Sequence, residues 1–339
     1  MFFTIIKFIL KLILVPYKLS GGKIEFSYLV ELFFILSGFF MFSYIKKIED
    51  GMNFKDFFVP KYFRFLAPMV LSCIAFTIFN VAYESLYAEQ FFDRTVTLWG
   101  LIQSSLGFIT GWGLEPSKTN GVIWYIGGLL ICFIIFYIIV FFCKKCKAAP
   151  YWMFAFMILA AFFVKTNQIN ILFFNSGTVR GISSFFWGLI LAKFLYNKKI
   201  SNKTALFSAL LLVLSVTAVV LWKGTYAKYN ASYLYTFFIF TFLIILMLSE
   251  PVKKIFKHKV WGTISAISFD VYLWHFPILL LIIDLNKVLN LQIDYSNRIN
   301  LLILALCSFA IGTLSYYFVE KPFTKWSVAR LRKNYELKN

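Results

Sequence analysis

The chain has 339 residues, of which 60% are hydrophobic, 21% aromatic and only 14% charged. Ordinary soluble domains run nearer ~45–50% apolar and ~25% charged, so this composition argues against a water-soluble globule and for helices set in lipid. The formal charge of +19, from 34 Lys+Arg against 15 Asp+Glu, suits nucleic acid only if the cations share one water-facing patch.

In chain order, the first apolar stretches cover 2–15, 28–45, 62–83, 121–142 and 151–165. The later ones cover 180–196, 204–222, 231–249, 262–285 and 299–319. Several are long enough to cross the hydrocarbon core as helices, which takes about 20 residues. The stretches at 2–15 and 151–165 are short, and each suits either a span or an interfacial or re-entrant piece. Residues 96–109 are apolar but interrupted by polar side chains, which predicts a segment lying in the interface or folding back into the bundle. The N-terminal run resembles a signal sequence, but Lys7 and Lys11 interrupt it and no small-x-small site follows, so a retained first helix is expected. The reading is an all-α polytopic membrane bundle of about ten spans. It comprises one membrane-embedded domain over 1–325 and a basic cytoplasmic tail over 326–339.

Loop charge gives an independent check. The loops 46–64, 143–150, 193–203, 250–260 and 320–339 hold 22 basic and 6 acidic residues. The alternate set, 16–27, 84–120, 165–180, 222–230 and 284–298, holds 10 and 7. By the positive-inside rule the first set is cytoplasmic, which places both termini inside. Most of the net charge is then a topology signal and a partner for membrane lipid headgroups, and nucleic acid is not an expected partner. The five cysteines form no disulfide framework, and Cys143-Lys-Lys-Cys146 lacks the second Cys/His pair of a zinc site.

Ionisable residues within spans carry the functional information, because charge in hydrocarbon is costly unless paired or wet. Glu31 lies near the outer end of the second stretch, Arg180 opens the sixth, and Asp270 and His275 lie in the ninth. His275 falls about 13 residues into its stretch, near mid-bilayer at ~1.5 Å per residue. A neutral imidazole there can accept a hydroxyl proton or simply pack in a polar core. Asp270 is about 140° round the helix from His275, so pairing between them cannot be assumed; a structural partner, such as a lysine of the first stretch, is the alternative. Glu31 can face headgroups or the bundle, and Arg180 can pair with it or hold an acceptor phosphate or sugar.

Four motifs, VELFFILSGFF at 30–40, NGVIWYIGGLL at 120–130, ISFDVYLWHFP at 267–277 and YYFVEKPF at 316–323, stand in order along the chain. Together they resemble the acyltransferase 3 family of integral-membrane acyltransferases, over about residues 25–325. The resemblance implies transfer of an acyl group, most often acetyl, from cytoplasmic acyl-CoA to a hydroxyl. The acceptor it implies is a sugar of a lipid-linked glycan or envelope polysaccharide. No metal and no tightly bound cofactor are implied; the expected location is the cytoplasmic membrane, and the abundant Phe, Ile, Lys and Asn fit an AT-rich bacterial genome. Glu31, Ser37 and Gly38 match the family's acidic residue and Ser-Gly, Asn120, Trp124 and Tyr125 its N-x-x-x-W-[FY] element, and His275 its late histidine. Glu320-Lys321-Pro322 matches its terminal E-[KR]-P.

Two features depart from the family pattern. The first stretch carries neither the usual Arg nor the usual His, and Lys18 stands where the His commonly falls. Lys18 can act as a base if burial favours its neutral amine. The basic stretch before Pro68 is offset by one residue, but Lys61 and Arg64 still share a helix face. They suit the phosphates of CoA or, more plainly, a positive-inside anchor pair. The expected catalytic pair is His275 as base and Glu31 as its orienting carboxylate. Lys61, Arg64, Trp124 and Tyr125 are expected to receive acyl-CoA. Lys18, Ser37, Asn120, Arg180 and Asp270 are expected to support the site or the acceptor. The alternative is a member that has lost transfer chemistry and serves as a glycan- or lipid-binding or transport partner.

Overall fold

The computed structural model describes residues 28–89, 96–112, 119–221, 232–293 and 298–336. The first apolar stretch and Lys18 lie outside these residues. The described residues are helical in the manner their apolar runs demand. In order come α1 (Leu29–Glu49), α2 (Phe54–Tyr87), α3 (Leu98–Ser105), α4 (Trp124–Lys145), α5 (Tyr151–Thr166) and α6 (Ser176–Leu195). Then follow α7 (Asn202–Leu221), α8 (Phe240–Met247), α9 (Glu250–Phe256), α10 (Lys259–Val288), α11 (Arg298–Ser315) and α12 (Lys321–Glu336). A 3₁₀ turn at Gly121–Ile123 opens α4, and π-helical turns at Tyr235–Ile239 and Tyr316–Glu320 lead into α8 and α12.

Among the described residues, seven helical segments are long and apolar enough to cross a membrane, and Tyr151–Thr166 and Ser232–Met247 are shorter apolar helices. The segment expected to lie flat or fold back is α3 with its following loop. Tyr62 donates to the Leu106 carbonyl at 3.1 Å and Trp112 to the Gly127 carbonyl at 3.2 Å, so the loop folds back onto α2 and α4.

The chain divides into two compact units. One comprises 1–52, 135–170 and 174–265, and the other 53–134, 171–173 and 266–339. In the first, a core of Leu32, Ile35, Phe39, Leu191, Leu212, Phe240 and Leu243 joins α1, α6, α7 and α8. Helices α1 and α6 pack backbone to backbone. A Cβ added at Gly38 would stand 1.9 Å from the Phe185 carbonyl oxygen, and one at Gly188 would stand 2.0 Å from that of Ile35. Gly38 of the family-like Ser-Gly pair is therefore required by packing: only a residue without a side chain lets the two helices meet there.

In the second unit, α11 also packs closely on α10. A Cβ at Gly312 would come within 2.6 Å of the Val271 backbone. That approach brings the turn after α11 against Asp270.

Candidate active site

The first unit holds an ion pair at the start of α1 and α6. Asn175 caps α6, its side chain accepting from the Gly177 and Thr178 amides at 3.1 and 3.0 Å while Thr178 accepts from the Asn175 amide at 3.0 Å. This reciprocal cap fixes the start of α6 and sets Arg180 in its opening turns. Arg180 Nε donates to Glu31 Oε1 at 2.7 Å, with the Glu31 side chain buried and that of Arg180 26% exposed. Glu31 Oε2 is buried with no hydrogen-bond partner among the described residues. Of the two readings open for Arg180, pairing with Glu31 is the one observed. Ser37 sits half-buried two turns further along α1.

The second unit brings two of the separate sequence motifs together around His275. Asn120 is fully buried, and its side-chain amide donates to the Leu273 carbonyl at 2.8 Å. Tyr272 returns the contact, its hydroxyl donating to the Val122 carbonyl at 2.9 Å. Its ring meets Tyr125 edge-on at 5.8 Å. The 120–125 element is thus docked on the turn of α10 that carries His275. Trp124, half-buried, begins α4 there.

His275 itself is exposed, midway along the 30-residue α10. Its Nδ1 lies 2.5 Å from the Tyr272 carbonyl oxygen. A carbonyl only accepts, so Nδ1 carries the proton and, in the neutral ring, Nε2 presents its lone pair outward.

A second cluster forms at the junction of α11 and α12. Ser315 donates to Asp270 Oδ1, and Asp270 and Glu320 interact electrostatically. Arg64 Nε donates to Glu320 Oε1 at 2.9 Å, with the Arg64 side chain 47% exposed and that of Glu320 buried. The π-helical turn at Tyr316–Glu320 accommodates the extra residue that aims Glu320 inward. Among the described residues Asp270 has Ser315 as its hydrogen-bond partner; the lysines of the first stretch, the expected alternative, lie outside the described residues.

The Lys61 amine donates to the Phe57 carbonyl at 2.7 Å and lies 4.0 Å from the Phe57 ring centroid, one turn back on its own helix.

Glu31 and Arg180 meet in the first unit. In the second, Asn120 and Tyr125 contact Leu273 and Tyr272, which precede His275 on α10, and Arg64 pairs with Glu320. Sequence reasoning missed Ser315 as a partner, and also Lys165, which lies near Arg180 and Glu31. Glu320 was visible only as a motif residue, and its link to Arg64 was not.

Residues 4–317 match the family model described as an acyltransferase domain, that of acyltransferase 3. No curated protein and no solved structure gave a match. With the family model spanning nearly all of an apolar, many-helix chain, this protein belongs to the acyltransferase 3 family of membrane acyltransferases.

Proposed function

We propose that the protein transfers an acyl group, acetyl in the simplest case, from cytoplasmic acyl-CoA to a hydroxyl of a sugar, lipid-linked glycan or envelope polysaccharide. The observation that carries this reading is His275: a polar side chain exposed halfway along a membrane helix, with Nδ1 held by a backbone carbonyl. Such a residue is tolerable in a bilayer where water or substrate reaches it. Its Nε2 then takes the acceptor proton as the hydroxyl oxygen attacks the thioester carbonyl. Collapse of the tetrahedral adduct breaks the C–S bond, and the departing CoA sulfur receives the proton.

Arg64 suits the phosphates of CoA, since its exposed guanidinium is anchored from behind by Glu320. Trp124 and Tyr125 line the approach to His275. The orientation proposed puts both termini in the cytoplasm of a bacterial cell, with ten spans counting the first stretch.

The experiment incubates purified protein with radiolabelled acetyl-CoA and membrane glycan extract. Base-labile label in the glycan supports the reading. Undiminished transfer by His275→Ala removes that residue from the mechanism. The missing first-stretch histidine favours a second reading, a binding or transport partner without chemistry. Glycan binding with neither acetyl-CoA binding nor transfer would select it.

A further inference from the structure

A proline inside a helix breaks the backbone ladder at a defined place. It has no N–H to donate, and the carbonyl four residues earlier loses its ordinary helical bond. Pro277 stands inside α10, two residues beyond His275, so the carbonyl in question is that of Leu273. Leu273 is fully buried, out of reach of bulk water. A membrane helix keeps such a proline when a neighbouring segment satisfies the freed carbonyl.

That neighbour is Asn120. Its side-chain amide donates to the Leu273 carbonyl at 2.8 Å, across 153 residues of sequence. A carbonyl only accepts, so the nitrogen of the amide must face it. The amide oxygen is then left buried with no hydrogen-bond partner among the described residues, and the bond is made even so. Asn120 is itself held in place, since its own carbonyl accepts from the Ile123 amide at 3.2 Å where the 3₁₀ turn opens. The Tyr272 hydroxyl, bonded to the Val122 carbonyl at 2.9 Å, ties the preceding residue of α10 to the same turn. Two crossed bonds therefore grip consecutive residues, Tyr272 and Leu273. The peptide planes that carry their carbonyls share the Leu273 Cα. A rotation that swung the Leu273 carbonyl toward another donor would also swing that of Tyr272, and the Tyr272 carbonyl is the one that holds His275 Nδ1.

We propose that Asn120 is a positioning residue for His275. By filling the gap that Pro277 leaves, it sets the turn from Tyr272 to His275 so that the Tyr272 carbonyl selects the Nδ1–H tautomer and Nε2 stays unprotonated. The consequence for catalysis rests on the transferase reading; the tautomer does not. Asn120 acts through the backbone of α10 and need touch neither donor nor acceptor.

The test uses full-length protein in detergent carrying nitrogen-15-labelled histidine. The chain has two histidines, His258 and His275, and a His258→Gln sample assigns their signals. At about pH 9, where an ordinary imidazole is neutral, wild-type His275 should show a protonated Nδ1 and a bare Nε2. Asn120→Leu is close in volume but has no donor. It should shift His275 toward the Nε2–H form and lower kcat for acetyl transfer to membrane glycan extract about 10–100-fold, with the KM for acetyl-CoA unchanged. Pro277→Ala returns an amide to the Leu273 carbonyl. In that background Asn120→Leu should change neither tautomer nor kcat further, a non-additive cycle that a general packing role does not produce. Equal effects in both backgrounds, or a loss carried by KM alone, overturns the proposal. If Asn120→Leu fails to fold, folding becomes the readout: Asn120→Leu/Pro277→Ala must fold, and its failure overturns the proposal. A tautomer shift in Asn120→Leu with no acetyl transfer by the wild type sinks the transferase reading alone. An unchanged tautomer with wild-type transfer intact sinks this inference alone.

Discussion

Arg64 and Glu320, 256 residues apart in sequence, are joined by a 2.9 Å bond from the Arg64 Nε to a buried Glu320 carboxylate. The guanidinium is thereby oriented without being consumed, since its side chain stays half exposed. Glu320→Gln keeps the shape but removes the charge that fixes Arg64. Acetyl-CoA affinity is expected to fall about tenfold while the helical circular dichroism signal is retained. Unchanged affinity in a titration of the folded variant would detach Arg64 from the donor site.

His275→Gln preserves volume and hydrogen bonding but supplies no basic nitrogen. Transfer to the acceptor should drop by about 10²–10⁴-fold with acetyl-CoA binding intact, the signature of a lost general base. A drop confined to KM would instead assign His275 to acceptor binding.

The Glu31–Arg180 pair predicts a sharp asymmetry. Arg180→Ala strands a buried carboxylate and should cost about 3–5 kcal/mol of stability. The pair Glu31→Leu/Arg180→Met should recover most of that loss, because neither member of the pair is then left buried alone. Thermal unfolding in detergent measures both, and strictly additive losses would show that the pair is not coupled.

Gly38→Ala drives a methyl group into the Phe185 carbonyl, 1.9 Å from where the new carbon would sit. Overpacking of this kind costs about 1–3 kcal/mol, and here it separates the helices that carry Glu31 and Arg180. Gly262→Ala is the matched control, with nothing within 4 Å of its added carbon. Its melting temperature should stay level or rise slightly, since alanine favours a helix. Equal behaviour of the two variants would refute the close crossing of α1 and α6.

The helices were legible because a lipid environment writes itself into composition: apolar runs of span length leave few other structures open. Glu31 and Arg180 were readable as partners because both sat near the same predicted membrane side, at the ends of the second and sixth stretches. The Asp270–Ser315–Glu320–Arg64 cluster was not, since periodicity says which face a residue takes on its own helix and nothing about which helix that face meets. The π-helical turn deepened the difficulty by shifting Glu320 off the ordinary 3.6-residue register. Lys165 was counted with an external loop because the apolar stretch ends at that residue, although the helix runs on through Thr166. Asn120 and His275 were each singled out by motif, while the bond from Asn120 to the backbone beside His275 needed three dimensions to appear.

Helix α5 has 16 residues. At ~1.5 Å per residue it is about 24 Å long, some 6 Å less than a typical hydrocarbon core of ~30 Å. Where α5 crosses the membrane, the bilayer beside it thins to match, and its Lys165 end sits below the level of the surrounding headgroups. For the proposed transferase, a lipid-tethered acceptor would meet a dimple there without its tail leaving the membrane.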